Sequence, residues 1–208
     1  IESLKKFRDR FGIPIENDNL GEVPYYRPQA ESLEIKYMTK ARESLGGPVP
    51  QRRSQSYSLD VPELAAFDNQ IKSSGDREIS TTMAFVRLLT SLCKDKNIGE
   101  RIVPIVPDEA RTFGMEGMFR QLGIYSSAGQ LYDPADSNQV MFYKEDKKGQ
   151  MLEEGITESG AFSAWLAAAT SYSVNNYPLI PFYIYYSMFG FQRVGDLCWA
   201  AGDSQARG

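Results

Sequence analysis

The sequence predicts an α/β fold with an open, mostly parallel sheet that carries helices on both faces. After about residue 57, short apolar stretches alternate with helix-like patterns. Residues 102–106 read IVPIV, and residues 179–186 are apolar at consecutive positions, which is typical of strands covered on both sides. Strands that alternate with helices indicate an open α/β sheet.

The first 56 residues differ from the rest and are predicted to be an irregular connector with short helices at 3–11 and 31–44. Chain-breaking residues are frequent here, namely Pro14, Pro24, Pro28, Gly46, Gly47, Pro48 and Pro50. We expect residues 57–208 to form one domain that is incomplete at its C-terminal end. The chain begins with Ile1 rather than Met, so we expect it to be an internal piece of a longer polypeptide.

Helices and strands of the larger domain are predicted in a regular order. Ser80 precedes a stretch with helical periodicity, 83–94, and its hydroxyl is suited to cap that helix. The elements that follow are a strand at 102–106, a short helix within 113–122, a strand at 151–154, a helix at 158–172, a strand at 179–186 and a helix at 188–201. The helix 158–172 is apolar on nearly every face, so we expect it to be buried.

Composition excludes several classes of function. The net charge of −4 offers no basic surface for nucleic acid, and no apolar run is long enough to span a membrane. Cys93 and Cys198 lie far apart, which favours free thiols and a cytoplasmic location. The chain has no histidine, so triads and metal sites built on histidine are excluded, and we predict no metal ligands here. Neither G-x-G-x-x-G nor a P-loop is present.

Glu158 is the main candidate for chemistry. In open parallel sheets, ligands bind beyond the carboxyl ends of the strands, where Asp108, Glu109 and residues 186–189 are predicted to lie. Glu158 begins an apolar helix at a comparable turn. The helix terminus favours its ionised form and burial favours its protonated form, so this carboxyl could exchange a proton with a heteroaromatic ring. The alternative is a glutamate that only stabilises the helix N-terminus.

Aromatic side chains cluster around the last predicted strand. They could stack on a flat ligand ring, or they could simply pack in the core. They are Tyr183, Tyr185, Tyr186, Phe189 and Phe191.

Four long stretches resemble one enzyme family. They are VPDEARTFGMEGMFRQLGIYS, MFYKEDKKGQ, EEGITESGAFSAWLAAATSYS and PFYIYYSMFGFQRVGDLCWAAGDSQARG. Together they resemble the thiamine-diphosphate-dependent pyruvate dehydrogenase component of the bacterial pyruvate dehydrogenase complex, in its homodimeric form. The resemblance is strong over 78–208 and weaker over the first 70 residues. It implies the pyrimidine-binding domain of the thiamine-diphosphate-binding fold.

The resemblance implies roles for seven residues. Glu158 matches the catalytic glutamate that bonds the aminopyrimidine ring of the cofactor. The implied cofactor-binding residues besides Glu158 are Tyr186, Phe189 and Ile156, and the implied lining residues of the active centre are Asp108, Glu109 and Arg193. Arg193 could equally be an ion-pair residue on its helix.

The resemblance also implies the reaction and the partners. The reaction is oxidative decarboxylation of pyruvate with transfer of the acetyl group to a lipoyl group. The diphosphate of the cofactor and its Mg²⁺ are held by a domain that this chain lacks, so we expect the isolated chain to be inactive. The implied partners are a second subunit, contacted through the thiamine-binding domains, and the lipoyl domain of dihydrolipoyl acetyltransferase.

Two alternatives remain open at this point. One is a thiamine enzyme of the transketolase type, against which the long match at the C-terminus argues. The other is a catalytically silent module in which the helices 158–172 and 188–201 form a dimer interface, because exposed apolar helices usually meet a partner.

Overall fold

Helices and strands alternate along the larger part of the chain, as predicted. A computed structural model describes residues 1–47, 49, 52–108, 110–135 and 143–208. The strands are β1 (Ile102–Val106), β2 (Ile124–Tyr125), β3 (Glu145–Asp146), β4 (Leu152–Glu153) and β5 (Ile180–Tyr183). The helices are α1 (Glu2–Phe11), α2 (Leu33–Ser44), α3 (Asp68–Ile71), α4 (Thr81–Cys93), α5 (Glu116–Leu122), α6 (Glu158–Ala169), α7 (Ser171–Asn175) and α8 (Phe191–Asp203).

The main sheet has three parallel strands in the order β4-β1-β5. In its central strand, Ile105 lies beside Leu152 on one side and Tyr183 on the other. A second, two-stranded sheet pairs β2 with β3, also in parallel. The predicted open parallel sheet is therefore confirmed, and the bounds of β1 agree with the prediction.

One face of the main sheet packs against α4 and α5. Ile102 and Val106 of β1 are fully buried here, with Leu89 of α4 and Met118 and Phe119 of α5. Burying an aliphatic or aromatic side chain of this size contributes roughly 1.5–3 kcal/mol. This cluster is the larger of the two apolar cores and holds β1 in place.

The opposite face of the sheet packs against α6 and α8. Phe162 of α6 and Val194 of α8 are buried together, and Tyr183 of β5 packs against them. Phe182, its neighbour in β5, belongs to the first cluster. Because successive side chains of a strand point to opposite faces, this alternation places helices on both sides of the sheet, as predicted.

The predicted burial of one helix over 158–172 is wrong for this chain. The helix α6 ends at Ala169, and α7 is a separate short helix after Thr170. In α6 the buried side chains are Ala161, Phe162 and Ala169, whereas Ser163 and Ala167 are exposed. Alanine and serine fit both environments, so a helix rich in them does not reveal in its sequence which side faces solvent.

The chain divides into two units, Ile1–Gln51 and Arg52–Gly208. The first unit contains α1 and α2, which confirms the two predicted short helices. Within this unit, Nη1 of Arg8 donates hydrogen bonds to the main-chain oxygen of Ile15 and to Oδ1 of Asn17, both at 2.8 Å. In the described ranges of either unit, no helix has the length and apolarity needed to cross a membrane.

Candidate functional site

A cavity of about 280 Å³ lies beyond the carboxyl ends of β1 and β5. Its lining residues are Pro107, Asp108, Ile156, Glu158, Tyr185, Tyr186, Phe189 and Arg193. Six of the seven predicted site residues are thus brought together, although they come from three separate stretches of sequence. The seventh, Glu109, lies outside the described residues.

A tight turn before α6 determines where Glu158 lies. Gly155 has φ of +79°, a conformation that favours glycine, and the N–H of Thr157 donates to its carbonyl oxygen at 2.6 Å. Thr157 caps the helix, since its Oγ1 accepts from the N–H of Gly160 at 3.2 Å. Glu158 is the first helical residue, and its side chain lies at the edge of the sheet.

The Glu158 carboxylate forms an ion pair with Arg193 of α8. Nη1 of Arg193 lies 2.9 Å from Oε2 of Glu158, and the side chains are 47% and 11% exposed, respectively. The Arg193 guanidinium also lies over the ring of Phe189, 4.4 Å from its centroid. The pair connects the first turn of α6 to α8 and gives the cavity one anionic and one cationic group.

The surroundings of Glu158 favour its ionised form. Its own main-chain N–H lowers the pKa of the carboxyl, Arg193 lowers it further, and burial opposes both effects. Of the two opposing effects predicted from the sequence, the helix terminus therefore outweighs burial, and the pKa of Glu158 is lowered. Burial, followed by the negative charge of Glu158, raises the pKa of Tyr183 to about 12, and the Tyr183 hydroxyl donates to the main-chain oxygen of Glu158 at 3.3 Å.

Tyr185 forms an aromatic wall of the cavity and depends on a glycine for its position. Its ring stacks on Tyr183 with centroids 4.9 Å apart, and Phe191 meets its edge at 6.0 Å. A Cβ atom on Gly190 would lie 2.1 Å from a ring carbon of Tyr185. Any larger residue at position 190 must therefore displace this ring.

Tyr186 contacts the loop that follows β1. Its ring lies 4.7 Å from that of Phe113, centroid to centroid, and its hydroxyl forms a hydrogen bond with that of Thr112. The strand predicted to reach residue 186 ends at Tyr183, and a 3-10 turn over Ser187–Phe189 precedes α8. This early end turns Tyr186 and Phe189 towards the cavity.

A second cavity, of about 290 Å³, lies beside the first and shares Asp108 with it. Its other lining residues are Ala110, Arg111, Thr112, Phe119 and Glu153. Burial, and next to it the charge of Asp108, raises the pKa of Glu153. The sequence interpretation missed Glu153, Thr112 and Phe113 as site residues. The available signal was that Glu153 lies near the end of the predicted strand 151–154 and the other two follow the predicted strand 102–106, because the carboxyl ends of parallel strands share one edge.

In the parts of the chain that the structure describes, no group of three or more His, Cys, Asp or Glu side chains could hold a metal ion.

Comparisons with known proteins agree on one family. The sequence model described as "Pyruvate dehydrogenase E1 component middle domain" matches residues 59–208. The chain is 64% identical over 208 residues to a pyruvate dehydrogenase E1 component of Pseudomonas aeruginosa, 57% over 209 residues to one of Cupriavidus necator and 54% over 209 residues to one of Escherichia coli. These matches cover 100% of this chain and 24%, 23% and 23% of the relatives. The chain thus spans about a quarter of their length.

Proposed function

The chain belongs to the family of the pyruvate dehydrogenase E1 component middle domain, and on this premise we propose that it forms one half of a thiamine-diphosphate site. In the full-length enzyme, the reaction is oxidative decarboxylation of pyruvate with transfer of the acetyl group to a lipoyl group. The diphosphate and its Mg²⁺ are bound by a domain outside these 208 residues. The ion pair of Glu158 and Arg193 inside an aromatic cavity is the observation that carries this proposal.

The cavity suits the aminopyrimidine ring of the cofactor. Tyr185, Tyr186 and Phe189 provide flat apolar surfaces, and Glu158 provides a hydrogen-bond acceptor among them. The volume of about 280 Å³ is at the lower end for small-molecule pockets, which matches one ring rather than a whole cofactor. The donor set and the size of the cavity therefore fit the pyrimidine half of thiamine diphosphate.

Glu158 holds a proton on the ring nitrogen of the bound aminopyrimidine. An ionised carboxylate stabilises a protonated ring nitrogen, and the low pKa of Glu158 keeps it in that form. Arg193 orients the carboxylate from the side of α8. When bound, thiamine diphosphate supplies an electron-accepting thiazolium ring for the decarboxylation.

Two further residues shape the approach to the cofactor. Ile156 lies at the edge of the cavity with 82% of its side chain exposed, and we assign it to packing against the cofactor. Asp108 lines the same cavity from the end of β1. We assign Asp108 to the wall that pyruvate meets.

The site is completed by a second subunit in a homodimer, and the acetyl group passes to the lipoyl domain of dihydrolipoyl acetyltransferase in the cytoplasm. Exposed apolar side chains on α8 support a partner at this surface. Phe191 and Trp199 are 69% and 77% exposed, which is costly in water and is relieved when a partner covers them.

Replacing Glu158 by glutamine in the full-length protein tests the proposal. Because a positioned acid or base typically contributes about 10²–10⁴-fold to rate, we expect turnover of pyruvate to fall by at least about a hundredfold while the dimer persists. Glu154→Gln, an exposed carboxylate four residues earlier, is the matched control and should leave turnover unchanged.

Other outcomes would select the alternatives. Turnover of ketose phosphates instead of pyruvate by the wild-type protein would indicate a transketolase-type enzyme. Loss of association with chemistry intact in Glu158→Gln would indicate an interaction module. We expect the isolated 208 residues, supplied with thiamine diphosphate and Mg²⁺, to show no turnover, and measurable activity would contradict the half-site.

A further inference from the structure

Glu153 is the last residue of β4 and lies beside Val106 at the end of β1. Its carboxyl faces the second cavity and does not line the first. The main-chain N–H of Ala110 donates a hydrogen bond to this carboxyl. Its Oε2 atom is buried and has no hydrogen-bond partner among the residues that the structure describes. Leaving a charged oxygen buried and unpaired is costly, so this carboxyl needs an explanation.

The charges around Glu153 are mostly negative. Asp108, after β1, and Glu145, in β3, both disfavour its ionised form, and Arg111 opposes them. The hydroxyls of Tyr132 and Tyr143 donate hydrogen bonds to Oε1 of Glu145, at 2.6 and 3.2 Å respectively. The resulting arrangement combines burial with a net excess of carboxylates, and the pKa of Glu153 is raised accordingly.

Among the residues that the structure describes, Asp108 alone lines both cavities. Its charge therefore acts on the first cavity and on Glu153 at the same time. Glu153 does not line the first cavity, so it acts on that cavity at a distance, through the charge of the carboxyl beside Asp108.

We propose that Glu153 is a positioning residue for substrate binding, which holds a proton behind Asp108 so that this wall does not gain a further negative charge. The inference rests on the proposed function, because the substrate that benefits is an anionic keto acid. While Glu153 is protonated, a substrate carboxylate meets one negative charge fewer at this wall. When Glu153 ionises, the wall gains that charge and repels the substrate carboxylate more strongly.

The dependence on pH follows from this arrangement. Since its pKa is raised, Glu153 keeps its proton to higher pH than an exposed glutamate does, and its charge appears only above that point. KM for pyruvate should then rise as the pH rises through the Glu153 titration. We expect kcat to change little, because Glu153 does not line the cofactor cavity.

The test is a series of kcat and KM measurements for pyruvate across pH on the full-length enzyme. In the wild-type enzyme, KM should rise by roughly three- to tenfold. This is the size expected when one added charge repels the substrate carboxylate and solvent partly screens the two charges from each other. Glu153→Gln should keep a low, flat KM with kcat within about twofold of wild type. Glu153→Asp keeps an ionisable carboxyl and should retain a rise, and Glu154→Gln, which removes an exposed charge next to it, should behave as wild type.

A second measurement keeps the result independent of turnover. Infrared difference spectra of full-length wild type should show one carboxylic-acid C=O band that disappears with rising pH and is missing in Glu153→Gln. An unchanged rise in KM for Glu153→Gln, or the same band in both proteins, would overturn the inference. If wild type fails to turn over pyruvate, the proposed function fails instead, and the infrared band still decides whether Glu153 carries the proton.

Discussion

Glu158 and Arg193 are 35 residues apart in sequence, yet Oε2 of the first lies 2.9 Å from Nη1 of the second. The contact joins the first turn of α6 to α8 across the edge of the sheet. It also places a cation beside the carboxylate on which the proposed function depends. The pair therefore has one role in stability and another in keeping Glu158 ionised.

Arg193→Gln should weaken the folded chain at neutral pH and have little effect in acid. The pKa of Glu158 is lowered in the folded state, so its contribution is present above the ordinary carboxyl pKa and is lost as the pH falls through the lowered value. Because Arg193 is about half exposed, we expect a loss of less than about 1 kcal/mol in the free energy of unfolding. Urea unfolding of wild type and variant at neutral and acidic pH measures this. An equal loss at both would contradict the ion-pair explanation.

Gly190→Ala should displace Tyr185 and destabilise the chain. Its Cβ would lie 2.1 Å from a carbon of the Tyr185 ring, which also stacks on Tyr183 and so has little room to move. Overpacking of this kind typically costs about 1–3 kcal/mol. Gly195→Ala, in α8, is the matched control because nothing lies within 4 Å of its Cβ. It should instead stabilise the helix by up to about 1 kcal/mol.

The measurement is the free energy of unfolding of both glycine variants, with binding of thiamine diphosphate to the full-length protein as a second readout. We expect weaker binding for Gly190→Ala, since its effect falls on a wall of the cavity. Similar stability changes in the two variants would show that crowding at Tyr185 is not the cause.

Thr157→Ala should loosen the start of α6. Oγ1 of Thr157 accepts from the N–H of Gly160, and loss of such a cap typically costs about 1 kcal/mol. Thr157→Ser keeps the oxygen and should recover most of that stability. Amide hydrogen exchange of the first turn of α6 measures the effect locally. Equal protection of Gly160 in the alanine and serine variants would argue against the cap.

Cys93 should react slowly with alkylating reagents. Burial raises the pKa of its thiol to about 11, so little thiolate is present at pH 8. We expect iodoacetamide to label Cys93 roughly a hundredfold more slowly in the folded chain than in the urea-unfolded chain. Mass spectrometry of the peptide that contains Cys93 follows the rate. Labelling at the unfolded rate would mean that the thiol is accessible.

Local patterns carried much of the fold prediction. The strand 102–106 agrees with β1 at both ends, and Ser80 caps α4, where its Oγ accepts from the N–H of Met83 at 3.1 Å. Glu158 is the first residue of α6, as its position after a polar turn suggested. These features depend on residues that are neighbours in sequence, so periodicity and capping chemistry are enough to find them.

Features that depend on long-range packing could not be read in this way. The predicted strand 179–186 is longer than β5, because the chain turns after Tyr183 to bring Tyr186 against Thr112 and Phe113. Glu153 drew no attention in the sequence, where it is one of two adjacent glutamates. Its burial and its proximity to Asp108 arise only when β4 pairs with β1.

By itself, the sequence determined the alternation of strands and helices, the parallel sheet with helices on both faces, and Glu158 as the residue that begins α6. Only the tertiary structure decided that Arg193 pairs with Glu158, that Gly190 makes room for Tyr185, and that Asp108 serves two cavities. The physical reason is range: propensity and capping act over a few residues, whereas ion pairing, ring packing and shared burial depend on which distant segments the folded sheet brings to one edge.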